Sequence, residues 1–155
     1  MKNTHLKGLL LAALIFSTGA QAFGNQDTWV SGYAQGTAEY TILGKGQSQL
    51  YLACESTGSQ AATIIFTDVN GHQVSMDSGQ KLTMKIDNEE EANISESGSH
   101  VGSDNVMWAW NKLRNGKRVI VSGTGVKPAA FTLNGAAAVI PEFGDNGCIP
   151  KFALP

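Results

Sequence analysis

Few side chains in this sequence are spaced for chemistry. Ser97, Ser99, His100 and Asp104 carry the letters of a nucleophilic triad, in which an imidazole activates a hydroxyl and an acid orients the imidazole. Neighbours in one Gly/Ser-rich segment rarely meet that geometry, which also needs a buried acid and a preorganised oxyanion site. No G-x-S-x-G motif is present. His72 and His100 lie 28 positions apart with no H-x-x-H, H-E-x-x-H or Cys/His cluster around them. Each therefore reads as a solvated or structural histidine, not a metal ligand. Glu89-Glu90-Glu91 could pair carboxylates or hold Ca²⁺, but consecutive residues on an extended chain point to opposite faces, so an acidic turn is the better reading. Gly44-Lys45-Gly46 lacks the spacing and following helix of a phosphate loop and reads as a turn. Asn93-Ile94-Ser95 matches a glycosylation acceptor, which carries no meaning if the N-terminal segment is a bacterial-type export signal. No catalytic residue, metal or cofactor is assigned. Binding remains, and the surface proposed for it contains the 97–104 segment and Trp108, with His100 and Asp104 in it. Loops carry function and exposed aromatics anchor interfaces. The competing reading has Trp108 packed on a sheet.

The first 22 residues combine a basic start (Lys2, Lys7), an apolar run over 9–16 and a small-x-small site at Ala20-Gln21-Ala22. They predict a secretory signal cleaved before Phe23. A retained anchor would need about 18–20 apolar residues. Removal leaves 155 − 22 = 133 residues (23–155), the size of one domain, with no membrane span and a location in the periplasm or outside the cell. The mature charge is 9 − 13 = −4, which offers no footprint for nucleic acid. In an oxidising compartment, Cys54 and Cys148 predict a disulfide, the alternative being two free buried thiols.

The rest of the chain reads as strands and turns. Strands are expected at 29–34, 37–43, 48–54 and 61–69. Asn70-Gly71 then suggests a type I′ hairpin turn, with His72 just past its tip. Residues 81–86 alternate cleanly, with Leu82, Met84 and Ile86 inward. A short strand at 92–96 and a mobile Gly/Ser-rich loop at 97–103 follow. Residues 104–115 have two readings. Asn115-Gly116 could turn a hairpin, with Val106, Trp108 and Trp110 on one strand face. The helical reading accounts for more: Asp104 as N-cap, Lys112 and Arg114 at the C-terminal end, and Gly116 as a left-handed cap. On that helix Val106 or Met107, Trp110 and Leu113 form the apolar stripe, and Trp108 points away from it. Strands at 117–122 and 129–133 and a short helix at 136–140, limited by Pro141, complete a mainly β (α+β) antiparallel sandwich or barrel-like domain.

Leu113-Arg114-Asn115-Gly116, the basic-headed strand Lys117-Arg118-Val119-Ile120-Val121, Ala130-Phe131-Thr132-Leu133-Asn134-Gly135 and the closing Cys148 resemble exported bacterial proteins of the type VI secretion-associated VasI group. Leu50-Tyr51-Leu52-Ala53-Cys54 and Leu82-Thr83-Met84-Lys85-Ile86-Asp87 extend the likeness towards the N-terminus. The group often has a tryptophan between its Ile-Asp strand and its helix, and residues 89–103 have none. The resemblance implies an exported, disulfide-stapled β fold and carries over no catalytic residue.

The expectation is an exported, non-catalytic envelope binding or accessory protein whose partner is another envelope or secreted protein. The alternative is an inhibitor or immunity-type protein that plugs a toxin or wall hydrolase, and a hydrolase comes third.

Overall fold

The computed structural model describes residues 23–155. The expected signal peptide lies outside the described residues. No described helix is long and apolar enough to cross a membrane.

Two antiparallel sheets enclose one core. The first is a meander in chain order: β1 (Val30–Ala34), β2 (Thr37–Leu43), β3 (Gln49–Glu55), β4 (Thr63–Thr67) and β5 (Gln73–Ser75). Its strands place alternate side chains inward. Tyr40 and Ile42, then Leu50, Leu52 and Cys54, then Ile64 and Phe66, then Val74 are all buried. The second sheet runs in the order β7 (Ala92–Asn93), β6 (Leu82–Ile86), β8 (Arg118–Gly123) and β9 (Ala129–Thr132). Leu82, Met84, Ile86, Val119, Val121 and Phe131 are its buried set. Phe131 meets Phe66 edge-on across the two sheets, with ring centroids 6.0 Å apart.

The turns depart from the simplest reading in one instructive way. Asn70-Gly71 does not form a type I′ turn, because of the pair only Gly71 has positive φ. Asp68 to Gly71 instead makes a type I turn, closed by the Gly71 amide on the Asp68 carbonyl (3.0 Å), with Gly71 as the left-handed bulge residue. Asp68 explains the choice. Its carboxylate accepts the backbone amides of Asn70 (2.8 Å), His72 (2.9 Å) and Lys127 (2.9 Å). The last of these ties the hairpin to the β8–β9 connection. The backbone of a type I′ turn occurs elsewhere, at Gln35-Gly36 between β1 and β2, where φ is 50° and 83°.

Residues 104–115 are helical, but α1 (His100–Asn115) starts four residues before Asp104. Ser99 is the N-cap, its hydroxyl accepting the Gly102 amide (2.9 Å). Residues 100–103 of the expected 97–103 loop are therefore the first turn of α1. Glycine is required at position 102, because a Cβ would collide with the Glu96 carboxylate and carbonyl. Gly116 is not left-handed either: its backbone is extended (φ −85°, ψ −176°). Glycine is needed at that position for space, since a Cβ would sit 2.7 Å from Ile86 and 2.8 Å from Leu133. The buried stripe is Val106, Ala109, Trp110 and Leu113, so Val106 fills the place left open between it and Met107.

Contacts of α1 with the C-terminal segment complete the packing. Trp110 donates its indole N–H to the Pro141 carbonyl (2.9 Å), and Arg114 Nε donates to Ile140 (2.8 Å). After α2 (Ala136–Val139) the chain returns to β3, where Cys54 and Cys148 are bonded with Cα atoms 4.8 Å apart. Gly147, at φ 76°, sits so close to the end of β3 that a Cβ would strike the Glu55 carbonyl oxygen. A 3-10 turn at Lys151–Ala153 follows.

Candidate functional site

The outward face of α1 gathers the residues singled out for binding. His100, Asp104 and Trp108 are spaced by four, so the helix stacks them in one row. His100 Nδ1 lies 3.1 Å from Asp104 Oδ2, with both side chains more than half exposed. The His100 ring also meets Phe152 of the C-terminal turn at 5.3 Å between centroids. Lys112 continues the row: its Nζ is 5.5 Å from the centre of the Trp108 ring and donates to Glu89 Oε1 at 2.7 Å. The ammonium is thereby held over the indole.

Trp108 and Met107 are 37 % and 43 % exposed, while Trp110, two residues along, is fully buried. The two exposed side chains, with Asn111, Lys112 and Asn115, line an open and largely apolar cleft of about 400 Å³. The expectation that Trp108 points away from the core stripe holds. Met107 also belongs to this outer face, a rotation of about 100° from Val106 on the helix.

The 97–99 part of the expected surface is placed differently. Ser97 is fully buried and donates its hydroxyl to Asp77 Oδ2 (2.8 Å), while its own oxygen accepts the Lys151 amide (2.9 Å). Ser99 donates to Glu96, and that hydroxyl contact holds the Glu96 carboxyl below its usual range. Neither serine hydrogen-bonds His100. The triad letters are thus divided between a buried knot and an exposed helix row. His72 lies on the far hairpin, exposed, with Nδ1 3.4 Å from Asp68. Among the described residues no three His, Cys, Asp or Glu side chains cluster as metal ligands.

Asp68 was the residue most easily missed. It is buried, and its three amide donors, Lys127 first, hold its carboxyl down at about 2. The signal was present in Asp68-Val69-Asn70-Gly71, since Asp at the first and Gly at the last position suit a type I turn. Glu89 was read as a solvated turn residue, and nothing in the sequence links it to Lys112.

Among curated proteins nothing matches the chain, and nothing matches among solved structures. One family model, YfjT, matches residues 27–140, a stretch containing every strand of both sheets and all of α1. On that coverage the chain belongs to the YfjT family.

Proposed function

We propose that this protein is an exported, non-catalytic binding module of the bacterial envelope, which docks another envelope protein on the outer face of α1. The observation that carries the reading is Trp108. A tryptophan and a methionine stand beside an open apolar cleft on a helix whose opposite side is fully committed to the core. Large aromatics at the centre of a patch are the residues most enriched among interface anchors. The polar neighbours Asn111, Asn115 and Lys112 supply the rim such a patch needs. The disulfide suits an oxidising compartment, and the leader-like residues 1–22 supply a route to it. The likeness to the VasI group makes a secretion-associated accessory role the first context to examine.

A photo-crosslinking side chain at position 108, introduced in the native host, is expected to capture one envelope protein in a saturable way. The same group at Thr57, on the far turn, should capture none of it. The isolated pair should then lose affinity at least tenfold on Trp108→Ala. Equal capture from both positions, or an affinity indifferent to Trp108, would remove α1 as the binding surface. Intact mass of the host protein should correspond to a chain beginning at Phe23.

A further inference from the structure

A second surface, away from α1, has a different chemistry. On the second sheet, alternation sends Lys85, Arg118 and Ile120 outward while Met84, Ile86, Val119 and Val121 face the core that α1 shares. Pairing sets Lys85 directly across from Ile120, and Ile120 across from Ala130. Lys117 flanks this row at the start of β8. Together they line a cleft of about 450 Å³ that also contains Asp87 and Asn88. A second cleft, of about 380 Å³, shares Arg118 and continues over Ala129 and Ala130 to Lys45.

The charges in these clefts are uncompensated. Lys112 and Arg114, on α1, each have a carboxylate partner. Among the described residues, Lys45, Lys85, Lys117 and Arg118 have none within ion-pair distance. In a mature chain expected to carry −4, four cations are thus gathered along one face. Like charges sharing a cleft raise its potential and draw in anions. The one carboxylate present, Asp87, is turned to the backbone and accepts the amides of Lys117 (3.1 Å) and Arg118 (3.0 Å).

We propose that this track binds an acidic polysaccharide whose sugar units carry carboxylates. Ile120 offers an apolar floor for the C–H face of a sugar ring. Asn88 and the remaining lone pairs of Asp87 suit ring hydroxyls, and the planar fork of Arg118 takes a carboxylate bidentately. Two clefts joined at Arg118 fit a chain of repeated charges better than a single ion. Asp87 inside the first cleft favours singly charged carboxylate units over doubly charged phosphomonoesters, which it would repel more strongly. The assignment does not depend on α1, so a protein partner and a glycan could occupy the domain together.

The test is titration of the full mature protein with a polygalacturonate oligomer at low and high salt, beside neutral dextran, a phosphomannan oligomer and single-stranded DNA. Polygalacturonate should bind and weaken as salt rises, because the contacts are exposed. The double variant Lys85→Ala/Arg118→Ala should lower affinity at least tenfold with an unchanged melting curve. Lys117→Gln, a milder change at an exposed position, should lower it several-fold and stands in should the double variant fold poorly. Absence of polygalacturonate binding overturns the proposal, as does binding that these variants leave unaltered. Equal binding of DNA or phosphomannan would replace it with an unselective polyanion surface, and equal binding of dextran would show that charge plays no part.

Discussion

Trp108 and Trp110 have the same side chain on the same helix, and they occupy opposite environments. Trp110 is fully buried, packs against Phe143 with centroids 5.3 Å apart, and satisfies its indole N–H on Pro141. Trp108 is partly open to water, with an ammonium held over its ring and a methionine beside it. Two residues along a helix is a rotation of roughly 200°, which is enough to take one indole into the core and leave the other on the surface. Composition therefore says little about what an aromatic does. Its phase on the helix decides.

The comparison is sharpest where the largest loss is expected. Trp110→Ala should destabilise the domain by roughly 3–5 kcal/mol, through the cavity and the orphaned Pro141 carbonyl together. Urea unfolding followed by circular dichroism measures it, and a loss under about 1 kcal/mol would mean the pocket collapses around the gap.

Next comes the staple behind Trp110, since the segment that receives its indole runs on to Cys148. Cys148→Ser should cost on the order of 2–5 kcal/mol. Thiol labelling of the native protein should find no reactive cysteine. Because both changes loosen the same segment, the double variant should lose less than the sum of the two.

Acid offers a third, smaller probe that spares α1 altogether. The carboxyl of Asp68 is held at about 2 in the folded state, below its unfolded value, so its contribution is present above about pH 4 and is lost as pH falls towards 2. Thermal melts from pH 6 down to pH 2.5 should show declining stability, and Asp68→Asn should flatten part of that decline while leaving the Trp108 surface unaltered. A slope identical to wild type would show that other carboxyls carry it.

Trp108→Ala is the smallest of the four for stability. Its melting curve should nearly overlay wild type, with the loss confined to partner affinity. If it unfolds the domain as Trp110→Ala does, the contrast between the two indoles disappears.

Much of the fold was legible because the strands obey a local rule. Leu82, Met84 and Ile86 alternate with Thr83 and Lys85 and enter the core as the pleat requires, although Thr83 is buried as well and only Lys85 is exposed. The misreadings came from contacts distant in sequence. Asp68 reaches Lys127, 59 positions away, and this tertiary bond accompanies a turn that Asn70-Gly71 alone would not specify. Asp104 was the expected cap of α1, and it lies inside the helix. Ser99 caps it instead, in a segment where Glu96 supports it and Ser97 is anchored by Asp77. For the site, the four-residue spacing of His100, Asp104 and Trp108 made the helical row readable. Lys112 shares that spacing, but its being held over the Trp108 ring was not readable, because Glu89 fixes it from another part of the chain.

The cross-link has a bearing on how the chain matures. With only two cysteines there is a single intramolecular pairing, so oxidation involves no search among wrong isomers and needs no reshuffling. Cys54 nevertheless emerges 94 residues ahead of its mate. Throughout that interval its thiolate can only attack an outside disulfide, releasing the other half as a thiol, or be joined by an oxidant to the Cys54 of another copy of the chain. A shortage of oxidant would therefore leave Cys54 and Cys148 as free thiols, whereas oxidation that comes too early would register as mixed disulfides and covalent dimers through Cys54, never as scrambled monomers.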